Sequence, residues 1–122
     1  MLTASKDLEN RRPVWRALSL LFLDTEMSSS TIQMIATALA ESAYTEAELH
    51  SILEREVAPV LSSNLSSVAG VWDEFDQEYL ESEILKRDRR WLRLWQLSSP
   101  IRLVKEEWAM IREELRAIRK GI

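Results

Sequence analysis

Glu56-Val57-Ala58-Pro59-Val60-Leu61-Ser62-Ser63-Asn64-Leu65-Ser66-Ser67-Val68-Ala69-Gly70-Val71-Trp72 is the stretch on which the reading of this chain turns. It holds one of three prolines and one of two glycines. Proline has no N–H to give to a helical carbonyl four residues back, so a helix entering this stretch should kink or end near Pro59. Yet Val57, Val60, Leu61, Leu65, Val68, Val71 and Trp72 are apolar. Leaving that surface in water costs about 25 cal/mol per Å². The expectation is an irregular apolar segment near 58–72 on which both halves of the chain dock, with Gly70 able to stop a short helical turn over 65–69.

Upstream, the periodic signals are helical. A first helix is expected from Pro13, because proline fits a first turn, where its missing N–H would have no partner. Val14, Leu18, Leu21 and Phe22 share a face, and Trp15, Ala17 and Leu20 widen it until little polar surface is left. Such a helix belongs in the core. Ser28, Ser29 and Ser30 are cap candidates for a second helix. Its stripe is Ile32, Ile35, Ala36, Leu39 and Ala40. Thr45 and Glu48 match a capping box for a third helix, with Leu49, Ile52, Leu53 and Val57 on its buried side.

Downstream, Asp76 reads as a cap, with Phe75 and Leu80 at the spacing of a hydrophobic staple. A long fourth helix from Gln77 to about Leu97 would carry Leu80, Ile84, Trp91, Leu92 and Trp95. Asp88 interrupts that stripe and needs an arginine or a bend, because an unpaired buried carboxylate is costly. Past Ser99-Pro100, Ile101, Val104, Trp108, Ile111, Leu115 and Ile118 recur at 3- and 4-residue spacing. That seam can close the chain's own core or pair two copies through 101–118. Together these signals predict an all-α fold. It is one domain over 1–122, a bundle of about five helices, three short N-terminal ones and two long C-terminal ones.

The 122 residues are enough to bury a core without staples. There is no cysteine, which removes disulfides and thiol chemistry and suits a reducing compartment. Residues 1–9 carry Lys6, Asp7 and Glu9 and lack the apolar core of a secretory signal. No apolar run approaches the roughly 20 residues that cross a bilayer. A cytoplasmic location without a membrane partner is therefore expected. The net charge of −4 hides a division. Residues 1–60 hold 5 basic and 9 acidic side chains, 61–83 hold 6 acidic and none basic, and 84–122 hold 11 basic and 5 acidic.

Few residues point to chemistry. His50 is the only histidine, and zinc sites want several nitrogen or sulfur ligands, so no metal is expected. The serine pairs and triplet lack the Gly-x-Ser-x-Gly setting of a nucleophile and read as caps and turns. Two glycines cannot build a phosphate loop. No catalytic residue and no cofactor are expected, and hence no enzyme. The acidic residues Asp24, Glu26, Asp73 and Glu74, with Trp72 beside them, suit a partner-facing surface. The alternative is a nucleic-acid or regulatory surface at Arg87, Arg89, Arg90 and Arg93, where basic and aromatic residues mix. Against it, Trp91 and Trp95 are spaced like core residues and the overall charge is negative.

The segments Arg11-Arg12-Pro13-Val14-Trp15, Leu21-Phe22-Leu23-Asp24-Thr25-Glu26, Glu56-Val57-Ala58-Pro59-Val60, Asn64-Leu65 and Val68-Ala69-Gly70-Val71-Trp72 occur together in this order. As a set they resemble a family of small, uncharacterised bacterial proteins classed as a domain of unknown function. The resemblance covers about 11–85 and leaves 86–122, the basic C-terminal helices, outside it. It brings no catalytic residues with it. In general character (small, acidic, helical, cysteine-free) the chain is also similar to immunity proteins, which neutralise a toxin by covering its active surface. The expected function is non-enzymatic binding of a basic toxin or effector protein.

Overall fold

The computed structural model describes residues 2–22, 28–65, 77–88 and 104–121. Within them every regular element is helical. A 3₁₀ turn at Ala4–Lys6 leads into α1 (Leu8–Ser19), which tightens into a second 3₁₀ turn at Leu20–Phe22. Then come α2 (Ser29–Ala40), α3 (Glu46–Ile52), α4 (Ala58–Leu65), α5 (Gln77–Asp88) and α6 (Lys105–Lys120). A π-helical turn, Leu53–Val57, joins α3 to α4. The two are therefore one rod, and the described residues form five such helical rods.

Helix α1 lies at the centre, touching α2, the π turn and α5. The breadth of its apolar surface is the reason: Val14, Trp15, Ala17, Leu18, Leu21 and Phe22 are all buried. It starts at Leu8, five residues before Pro13. Proline is thus inside the helix and not at its first position. The N–H it lacks would have served the carbonyl of Glu9, an exposed residue where water can take over the bond.

The caps of the next two helices are as the sequence implies. Ser28 Oγ accepts the Thr31 N–H at 3.2 Å. In the capping box, Thr45 Oγ1 accepts the Glu48 N–H at 3.1 Å and Glu48 Oε1 accepts the Thr45 N–H at 2.8 Å. Leu49, Ile52, Leu53 and Val57 are fully buried, each contributing about 1.5–3 kcal/mol.

Pro59 does not end this helix. The chain stays helical to Leu65, so the expected irregular segment does not begin at 58. The π turn accommodates the proline. Its signature is the Ala58 N–H bonded to the Leu53 carbonyl, five residues back. Widening the turn just before Pro59 relieves the clash between its ring and the carbonyl four residues earlier.

Leu80 and Ile84 of α5 are buried as its stripe predicts. Phe75, Asp76, Gly70 and the stretch toward Leu97 over which this helix was expected to run lie outside the described residues, as does the Asp88 side chain. Helix α6 packs along α2. Val104, Trp108, Ile111 and Leu115 are buried within the single chain and Ile118 packs at their edge, so the described part of the seam closes the protein's own core.

Candidate functional site

Three features combine chemically interesting side chains: a buried ionic network, an ionic ladder along α6, and an uncharged helix face.

The network forms where α1 crosses the π turn. Arg11 is 1 % exposed, so its charge needs partners. Its Nε and Nη2 donate to Glu56 Oε1 and Oε2 at 3.1 and 2.9 Å, a two-pronged fit of guanidinium to carboxylate. Trp15 Nε1 donates to the same carboxylate at 2.8 Å. Arg11 Nη1 donates to the Tyr44 hydroxyl at 3.2 Å, and its guanidinium carbon lies 5.3 Å from the centre of the Tyr44 ring. Tyr44 in turn donates a short hydrogen bond to Asp7, which also accepts from Asn10.

These contacts set the charges. Burial works against the Arg11 guanidinium, but its bonds to Glu56 and the charge there more than offset this and hold it protonated above its ordinary value. Burial, then the bond to Asp7, pushes the Tyr44 phenol up to about 12. The Tyr44 bond, followed by that from Asn10, holds the Asp7 carboxyl below its usual value. Each carboxylate here is committed to holding elements together: the start of α1, the entry to α3 and the π turn.

The ladder joins α6 to α3 in antiparallel order. Arg119 Nη2 donates to the carbonyls of Leu39 and Tyr44 at 3.2 and 2.7 Å, which completes the C-terminal end of α2. Glu46 accepts from Arg116 at 2.7 and 2.8 Å and from Arg112 at 3.1 and 3.3 Å. Trp108 Nε1 donates to His50 Nδ1 at 3.0 Å. Glu46, held chiefly by the bonds from Arg116, stays ionised below its usual range.

The uncharged face belongs to α2, which has no charged residue over its whole length. Met34 is 55 % exposed at its middle. It borders two grooves. One, about 350 Å³, runs between α1 and α2 past Pro13, Ala17, Leu20 and Ala38, with Arg12 and Arg16 on its rim. The other, about 510 Å³, lies between α2 and α6, with Thr37, Glu41 and Ile118 in its walls.

Asp24, Glu26, Trp72, Asp73 and Glu74, and Arg89, Arg90 and Arg93 of the alternative surface, lie outside the described residues; of Arg87 only the backbone, in α5, is described. Among the described residues no group of three or more His, Asp or Glu is placed to hold a metal ion, and no helix is long and apolar enough to cross a membrane. His50 sits at the core edge, half-exposed.

Each member of the central pair, taken separately, left a signal in the sequence. Arg11 precedes Val14 by three and Leu18 by seven, and Glu56 follows Ile52 by four, so both interrupt apolar stripes as Asp88 does. Two charges of opposite sign in two buried stripes must find each other or be expelled.

An all-α bundle whose helices are fastened by buried and half-buried arginine–carboxylate bonds is the class this geometry defines. Residues 9–120 match the family model described as Domain of unknown function (DUF7079), and the chain belongs to that family. The match takes in the basic C-terminal residues that the sequence resemblance, ending near 85, left out. Neither the curated proteins nor the solved structures include a match.

Proposed function

We propose that this chain is a non-enzymatic protein-binding module, a bacterial cytoplasmic protein of the immunity type that neutralises a basic toxin or effector by covering it. The observation that carries the reading is Met34, an exposed apolar side chain at the centre of an uncharged helix and between two grooves. A flexible thioether beside open grooves suits an anchor in a protein interface. Acidic residues stand close in the sequence: Asp24 and Glu26 immediately precede the α2 cap, and 61–83 carry six acids and no base. Charge of that sign would speed encounter with a basic partner. Trp72, Asp73 and Glu74 belong to the same proposed surface.

The nucleic-acid alternative at Arg87, Arg89, Arg90 and Arg93 ranks second. It draws on a basic C-terminal third in which Arg112, Arg116 and Arg119 are already engaged with Glu46 and backbone carbonyls.

The test is rescue of cells expressing the product of the adjacent gene, paired with direct binding of the two purified proteins. Met34→Glu should weaken binding by at least about 30-fold, the equivalent of a hot-spot loss of about 2 kcal/mol, with helix content unchanged. Full protection by Met34→Glu, or failure of the wild type to bind that product, would remove the reading. A salt-sensitive shift with DNA or RNA would move it to the alternative.

A further inference from the structure

His50 presents its two ring nitrogens to two different elements. Nδ1 faces Trp108 Nε1 of α6 at 3.0 Å. Nε2 faces Glu54 Oε2, one turn along its own rod, at 3.2 Å. An indole N–H can only donate. Nδ1 must therefore offer a lone pair, and the ring proton sits on Nε2, where the carboxylate accepts it. Trp108 is buried, whereas the imidazole is 40 % exposed, so solvent protons reach the ring without unfolding.

We infer that His50 is a proton-sensitive latch on the N-terminal end of α6. The only place for a second proton is Nδ1. Adding it sets two donors against each other across 3.0 Å and ends the bond to Trp108. At the same time the ring gains a positive charge beside Glu54. Protonation thus exchanges a tether between two elements for an ion pair within one.

The surrounding charges leave that exchange to Glu54. On the same rod Glu46, one turn before His50, is occupied by Arg112 and Arg116. On α6 Arg112 lies one turn after Trp108 and Lys105 one turn before it; Arg112 is held by Glu46. The rungs at Arg112, Arg116 and Arg119 do not involve His50, so release affects the start of α6 and leaves its C-terminal half fastened.

Nitrogen-15 NMR of the full chain tests this. Long-range imidazole spectra at about pH 8 should show the Nε2–H form; an Nδ1–H form overturns the latch. On acidification, the Trp108 indole cross-peak should shift in step with the His50 ring signals. In His50→Gln that peak should not follow pH. Trp108→Phe identifies the peak by its loss, and triple-resonance assignment does so if that variant does not fold. An indole signal indifferent to pH in the wild type, or one that titrates equally in His50→Gln, refutes the proposal.

Discussion

A guanidinium that is 1 % exposed has given up nearly all of its water. For Arg11 the replacement is Glu56, Tyr44 and Asp7. Taking away one member of such a pair leaves the other buried and uncompensated, at a cost of about 3–5 kcal/mol. Arg11→Met should therefore destabilise by about that amount in urea titrations. Adding Glu56→Gln should recover part of the loss. The glutamine oxygen still accepts from Trp15, and the stranded negative charge is gone. A double variant no more stable than Arg11→Met alone would mean that the carboxylate is not what the arginine compensates. The residue scale is also where sequence reading stopped short. Periodicity says which side of a helix is buried, but it does not say which of two interrupting charges on separate helices will meet. That requires knowing that α1 crosses the π turn.

Among the elements, α3 owes its start to a few atoms. Thr45 and Glu48 satisfy each other's backbone N–H groups, and Glu48, chiefly through the Thr45 backbone bond, keeps its charge below the ordinary pKa. Thr45→Ala should cost about 1 kcal/mol, read as a shift in the urea midpoint with an unchanged slope. No shift would show that Arg119 on the Tyr44 carbonyl and Glu46 on α6 fix this entry without the cap.

The capping box, the stripes of α2 and α3 and the first two stripe positions of α5 were legible because each rests on neighbours within a turn. The behaviour at Pro59 was not. A proline in a helical pattern signals a disruption, but whether the helix stops or absorbs it by widening one turn depends on what lies beyond. Here Ala58, Val60 and Leu61 are all buried, and continuing the helix keeps them so. Pro13 teaches the same at the other end: this helix begins upstream of its proline because the carbonyl left without a donor belongs to an exposed residue.

For the molecule as a whole, the carboxylates that bridge elements predict how it responds to acid. Tyr44 and Asn10 hold Asp7 down, and Arg116 and Arg112 hold Glu46 down. A carboxyl whose pKa is lower in the fold than in the unfolded chain stabilises the fold above the unfolded value. That stabilisation drains away as pH falls through the folded one. The ordinary values are 3.8 and 4.5, so stability should hold near neutrality and decline below about pH 4.5. Glu46→Gln should make that decline shallower, measured as the difference in urea midpoint between neutral and acid solution. Parallel declines in the two proteins would place the acid sensitivity elsewhere. The whole-molecule fold class was the most legible level of all, since it needed only helical periodicity and a shortage of breakers. The proposed acidic surface was legible only as composition, because runs of charge give sign without position.

The clasp of Arg119 on Leu39 and Tyr44 spans 80 and 75 positions of sequence. A ribosome delivers the chain from its first residue onward, so α2 and the entry to α3 exist long before the arginine that finishes them. Until the final turn of α6 has left the exit tunnel, the apolar flank of α2 that α6 will cover stands open to the crowded interior of the cell. Non-local closure of this kind slows folding relative to bundles built from adjacent hairpins. Premature termination anywhere ahead of residue 105 would strand a nascent product that has its early helices but no lid for them, a substrate for chaperones and proteases.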